Sequence, residues 1–218
     1  WIAEGEHLLQ EFKEEITDSY KIAKTLVAFA NTKGGRILVG VKDNGRIRGV
    51  DIQQELYMID YAAQHLCLSP VEYEWSKQEY DRKEVLVIQV KESRTKPHYA
   101  MDRDGKKWAY IRVDAHVRLA SLTMLKAIER KYQDSDQPIV VVYNSETERL
   151  FHILRQHPMG VTLYELVKRL AISRRRLRSL LVNLILMGVV ELVPTIENDL
   201  YRLAVEDPES YCSKTTEK

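Results

Sequence analysis

Four arginines crowd the stretch SRRRLRSLLVNLILMG: Arg174, Arg175, Arg176 and Arg178. Ser173 ahead of them is a good helix cap. Leu177, Leu180, Leu181, Leu184 and Ile185 recur behind it at helical spacing until Gly188. The spacing predicts a helix that opens on arginines. Cations at that pole oppose the helix dipole and repel one another, so the pattern calls for an anionic partner. Guanidinium matches phosphate oxygens and guanine edges better than any other side chain. A solvated charged face on a dimerisation module is the plainer alternative.

A second stretch, Asn31-Thr32-Lys33-Gly34-Gly35, has the composition of a phosphate loop. A Walker-type loop follows a strand and opens a helix, so that free N–H groups face the anion. Here the order is reversed. Residues 20–30 carry Ile22, Leu26, Val27 and Phe29 at helical spacing, and 36–41 (RILVGV) reads as a buried strand. Gly34 or Gly35 is therefore expected just past a helix end, in a left-handed conformation. No ATP site is expected. His7, His65, His98, His116, His152 and His157 show no metal-ligand spacing, so no metal is assigned. Nor do a serine, a histidine and an acid form a recognisable hydrolase pattern.

These stretches need a scaffold, and 218 residues allow one large domain or two small ones. No apolar run reaches the length of a membrane span and no signal peptide is visible, so a cytoplasmic protein without membrane contact is expected. The chain opens on Trp1, and residues ahead of it are expected. Cys67 and Cys212 stand far apart and indicate neither disulfide nor metal, which fits a reducing compartment. A net charge of +1 gives no global pull toward nucleic acid, leaving that task to local patches.

Along the chain, EGEHLLQEFKEE is short and polar around Phe12, and Glu11 and Lys13 could be the solvent face of an edge strand. After the 20–30 helix and 36–41 strand, Asp43-Asn44-Gly45 predicts a hairpin returning over 46–50. A helix is expected over 53–66, an alternating run over 71–80, and strands over 84–90 and 107–113. Trp75 and Trp108 are expected in the core. Ser121 is placed as the cap of a helix over 122–132. The mixture predicts an α+β domain with a mixed sheet over 1–133. Residues 134–144 form a linker or bridging strand, whose apolar part 139–143 fits either neighbour. Beyond it, Ser145 caps a helix through 157, Thr162 precedes LYELVKRL, and the arginine helix follows. Strands 189–193 and 200–203 then flank a polar tip at 194–199. Residues 206–218 read as a disordered tail.

Three helices followed by a hairpin over 145–205 resemble a winged helix-turn-helix, which sets its third helix in the DNA major groove, N-terminal residues first. The first domain also resembles a known family. EGEHLLQEFK, AFANTKGGRILVGVKDNGRIRGV, VLVIQVKESRTKPHYA and YIRVDAHVRLAS look, in that order, like the Schlafen/AlbA-type domain, also described as a divergent AAA-type or DNA-binding domain. In bacteria this domain commonly precedes a winged helix in transcriptional regulators. The resemblance implies that Lys33, Lys96, His98, Arg112 and Arg118 converge on a phosphate, beside a ligand loop of Asn31, Thr32, Gly34 and Gly35. It also implies an alternative. Nuclease members use three carboxylates, here Glu6, Glu11 and Asp43, to hold Mg²⁺ or Mn²⁺ for phosphodiester hydrolysis. Asp43 is equally accounted for by its turn.

The expected function is therefore a cytoplasmic, bacterial DNA-binding transcriptional regulator acting on double-stranded DNA. The first domain would add phosphate contacts, ligand sensing or a homodimer interface. The rival readings are a metal-dependent endonuclease on DNA or RNA, and a nucleotide-binding or protein-interaction module.

Overall fold

A computed structural model describes residues 1–132 and 138–214. It divides into two compact units, Trp1–Ala120 and Ser121–Lys218.

The first unit contains β1 (Gln10–Lys13), α1 (Ser19–Asn31), β2 (Gly35–Val39), α2 (Ile52–Tyr61), β3 (Cys67–Leu68), β4 (Tyr73–Tyr80) and β5 (Lys83–Val90). It continues with β6 (Tyr99–Met101), β7 (Lys107–Trp108), β8 (Tyr110–Val113) and β9 (His116–Leu119). The main sheet has the order β1-β2-β5-β4. β1 runs parallel to β2 and the other pairings are antiparallel. The sheet is thus mixed, as expected, and β1-α1-β2 is a βαβ unit.

Alternation along the inner strands explains why both faces are covered. Ile37, Val39, Leu86 and Ile88 meet α1 through Ile22, Leu26 and Phe29. Leu38, Val85 and Val87 point the other way and pack with Phe12 and Val41. α1 begins where the Asp18 carboxylate accepts the Tyr20 N–H at 2.9 Å. It stops where Gly34, at φ 70°, turns back and donates its N–H to the Phe29 carbonyl at 2.9 Å. A Cβ on Gly34 would lie 2.6 Å from the Val90 carbonyl oxygen, so the position excludes any side chain.

Several local expectations need correction. The 46–50 return strand reduces to one bridge between Val41 and Ile47, because Gly40 takes both the Arg48 and Gly49 N–H groups. The 53–66 helix is regular only to Tyr61 and widens into a π turn over Ala62–Leu66. The 107–113 run splits at Ala109 into strands of two different sheets. Trp75 and Trp108 are not core residues, being 51% and 41% exposed. β4 lies at the sheet's edge, beyond the helices' cover. Trp108 instead donates its indole N–H to Asp102 at 2.7 Å.

α2 contributes one buried acid. Glu55 is 5% exposed and accepts the Ile16 N–H at 2.9 Å. Burial raises its carboxyl above the usual range, partly offset by that hydrogen bond. A folded-state value above the unfolded one means that ionisation favours unfolding. The stability contribution is intact below the unfolded value and lost as pH rises through the folded one. Glu55→Gln keeps an oxygen for Ile16. It is expected to unfold at higher urea than the parent at neutral pH, with the advantage fading below about pH 4. Paired urea titrations at the two pH values check this.

The second unit holds α3 (Leu122–Tyr132), β10 (Val142–Tyr143), α4 (Ser145–Gln156), β11 (Val161–Thr162), α5 (Leu163–Leu170) and α6 (Arg174–Leu186). It ends with β12 (Val190–Pro194), β13 (Asp199–Leu203) and β14 (Ser213–Lys214). Leu150, Phe151 and Leu154 of α4, Leu166 and Leu170 of α5, and Leu177, Leu181 and Leu184 of α6 share one core with Tyr201 of β13. β11, β13 and β12 form an antiparallel sheet in that order. Ala171 takes a left-handed conformation (φ 54°) that ends α5, and only Ile172 and Ser173 separate it from Arg174.

The boundary falls earlier than residue 133, because α3 packs on α6: Arg130 donates to the Asn183 side chain at 2.5 Å. Residues 133–137, the end of the expected first domain and the start of the expected linker, lie outside the described residues. Asn144 rather than Ser145 caps α4, in a capping box with Thr147. Val141 is buried in the second unit's core, and β10 pairs with β14, which places 141–143 on that side. The expected tail at 206–218 is ordered as far as residue 214. Pro208 is buried, Arg155 pairs with Glu209 at 2.6 Å, and the Ser213 N–H reaches the Val141 carbonyl at 2.9 Å. Residues 215–218 lie outside the described residues. Among the described residues no helix is long and apolar enough to cross a membrane.

Candidate nucleic-acid interface and carboxylate set

The Ser173 hydroxyl accepts the Arg176 N–H at 3.2 Å and fixes the start of α6. Leu177, Leu181 and Leu184 are buried, which turns Arg174, Arg175 and Arg176 outward into solvent. No acid lies in the first turn. Arg176 pairs with Glu146 of α4 at 3.0 Å. Arg178 is half-buried, and its Nε has neither solvent contact nor a partner among the described residues. Among the described residues, Arg174 and Arg175 therefore carry charge at the positive pole of the helix that no carboxylate offsets.

In the first unit, the expected phosphate set does not come together as free cations. Arg112 is 2% exposed. Its guanidinium binds Glu11, donates to the His7 carbonyl at 2.9 Å and lies 4.7 Å from the Phe29 ring centre. Lys96 is held by the Thr32 carbonyl at 2.9 Å and by Glu92 at 2.5 Å. Arg118 is half-buried on β9, and Lys33 is exposed. Buried or saturated cations cannot meet a polyanion without first losing these partners. The structure thus gives Arg112 and Lys96 internal duties.

The expected ligand loop is likewise a joint between elements. Asn31 is buried and donates to the His98 carbonyl at 2.9 Å and the Tyr110 carbonyl at 3.0 Å. Its side-chain oxygen accepts the His98 N–H at 2.8 Å. The Thr32 hydroxyl donates to the Ala28 carbonyl at 2.8 Å and accepts the Arg112 N–H at 2.9 Å. Gly34 faces the Val90 backbone and Gly35 the Phe29 ring. The residues that end α1 thereby tie it to β8 and to the approach to β6.

Of the three carboxylates, Glu11 is buried rather than on a solvent face, bonded to Lys13 at 2.5 Å and to Arg112. Glu6 accepts the Phe12 N–H at 2.8 Å, and Asp43 sits exposed in its turn. Among the described residues no group of three or more His, Cys, Asp or Glu side chains could hold a metal ion.

Sequence reasoning missed a cleft of about 750 Å³ in the first unit, lined by residues that include Val71, Tyr73, Ser93, Arg94 and His98. Its walls come from separate loops and strands, and the only linear signal is a serine five residues ahead of a histidine.

The model of the Schlafen, AlbA_2 family matches residues 6–121, more than half of the chain, and the chain belongs to that family. No curated protein matches it. Two solved structures are similar at low identity. One is the DIP2311 protein from Corynebacterium diphtheriae, with 17% identity over 88% of this chain and a TM-score of 0.44. The chain spans 34% of that protein's length. The other is the N-terminal domain of a protein from Nitrosomonas europaea named as related to the ATP-dependent DNA helicase RecG. It has 20% identity over 61% of this chain and 82% of its own, with a TM-score of 0.34.

Proposed function

We propose that this chain is a DNA-binding transcriptional regulator whose second unit works as a winged helix-turn-helix. In this reading α5 and α6 are the helix-turn-helix, α6 enters the major groove of duplex DNA, and β12 and β13 are the wing. The observation that carries it is the pair Arg174 and Arg175, exposed at the positive pole of α6 with no carboxylate against them among the described residues. A phosphate or a guanine edge supplies the missing negative partner. Arg176 joins them once it releases Glu146. The exposed Lys33 of the first unit adds a further phosphate contact, and pairing of two copies would fit two half-sites.

The test is a salt series. Binding of the full chain to a fluorescent duplex of mixed sequence, followed by anisotropy, is expected to weaken linearly in log–log form. Arg174→Ala and Arg175→Ala should each reduce that slope by about 0.9. Binding insensitive to salt, or an unchanged slope in the double variant, overturns the reading.

A further inference from the structure

We propose that Ser93 and His98 form a nucleophile–base pair, and that the cleft of the first unit takes a small ester whose acyl group passes to the Ser93 hydroxyl. This reading concerns a different site from α6 and stands or falls apart from DNA binding.

The tautomer of His98 follows from its surroundings. Nδ1 lies 2.9 Å from the Ser69 carbonyl oxygen, which can only accept, so Nδ1 carries the ring proton. In the neutral ring Nε2 is then a bare acceptor, and it lies 2.7 Å from Ser93 Oγ. The serine hydroxyl is thereby aimed at a base which a third group orients, the arrangement that activates a nucleophile. A main-chain carbonyl fills the orienting place usually taken by an acid. For that reason no pattern of serine, histidine and acid marks this site in the sequence.

The pair is also firmly held. His98 is 4% exposed, and its N–H is bound by Asn31 at 2.8 Å. The Ser93 N–H binds the Ala30 carbonyl at 2.9 Å, and its Oγ accepts the Thr95 N–H at 3.0 Å. Thr95 Oγ1 lies 3.2 Å away. Ser93 is only half-buried, and both partners line the cleft of about 750 Å³, a size suited to a small organic molecule. Arg94, the next residue, lines the same cleft with an exposed side chain.

The chemistry balances without a further reagent. Oγ bonds to the ester carbonyl carbon as its proton moves to His98 Nε2. The tetrahedral adduct collapses, the bond to the leaving alkoxide breaks, and Nε2–H protonates that oxygen. An acyl-serine remains. Water then repeats the sequence, releasing the carboxylic acid and restoring Ser93.

The experiment treats the full chain with a biotinylated alkyl fluorophosphonate, and separately with p-nitrophenyl acetate. The expected results are one phosphonyl adduct per chain, mapped by peptide mass spectrometry to Ser93, and a burst of p-nitrophenolate approaching one per chain. Ser93→Ala should lose both while keeping the parent's circular dichroism. His98→Gln should slow labelling by at least about 100-fold, the lower range of general-base catalysis. Should that variant fail to fold, His98→Asn takes its place with the same slowing expected, and the Ser93→Ala comparison still decides. No adduct in the folded parent, an adduct elsewhere that survives Ser93→Ala, or unchanged labelling of a folded His98→Gln or His98→Asn protein each overturns the proposal.

Discussion

Replacing Arg112 with methionine is expected to destabilise the first unit by about 3–5 kcal/mol, the usual consequence of stranding one member of a buried ion pair. The Arg112 side chain is wholly shielded from solvent and that of Glu11 is 9% exposed. Without the guanidinium, Glu11 keeps Lys13 at 2.5 Å, but that lysine is 34% exposed and engages only the outer carboxylate oxygen. The His7 carbonyl loses its donor as well. Converting Glu11 to leucine in the same chain should return most of the loss, since two apolar groups of similar volume tolerate burial better than one charge. Urea unfolding of the four proteins in this cycle checks the coupling. A single-variant cost below about 1 kcal/mol would mean that solvent reaches the pair. The same result bears on the nuclease reading. Glu11→Ala should weaken folding broadly rather than remove one activity selectively.

The second large effect is expected at Asn31. Truncation to alanine strips the His98 carbonyl, the Tyr110 carbonyl and the His98 N–H of their common partner. Each unmet buried polar group costs about 1–3 kcal/mol, so a total of about 3 kcal/mol or more is expected, with amide exchange at His98 accelerated. Aspartate should not rescue it. Its carboxylate can still accept the His98 N–H, but sets a charge against two carbonyl oxygens. Thermal melts and hydrogen exchange together test this, and a loss under about 1 kcal/mol with His98 still protected would count against it.

These two residues also mark where the sequence was legible and where it was not. α1, β2 and β5 could be read because their apolar spacing is local, with Ile22, Leu26 and Phe29 on one stripe and Ile37 and Val39 alternating with Leu38. The left-handed turn at Gly34 follows from the same local logic. The family resemblance points Asn31 and Arg112 at a ligand and says nothing of the partners they hold. The partners that claim them lie in segments distant along the chain, and no spacing rule announces Glu11 opposite Arg112. β14 escaped for the same reason, its partner strand lying ahead of three helices. Trp75 was misjudged because alternation shows which faces a strand has, but not whether anything lies above them. Ser93 and His98 are close in sequence, yet the Ser69 carbonyl that orients the ring has no side-chain signature.

β4 borders the main sheet with all its residues from Glu74 to Tyr80 exposed, so its outer row of main-chain donors and acceptors is open. An uncovered ribbon of that length invites neighbouring molecules to zip on and polymerise. Glu74, Lys77 and Glu79, spread along it, act as gatekeepers, because any copy laid alongside must first strip these charges of water. The barrier to such edge-to-edge pairing thus lies in a few side chains that contribute nothing to the core.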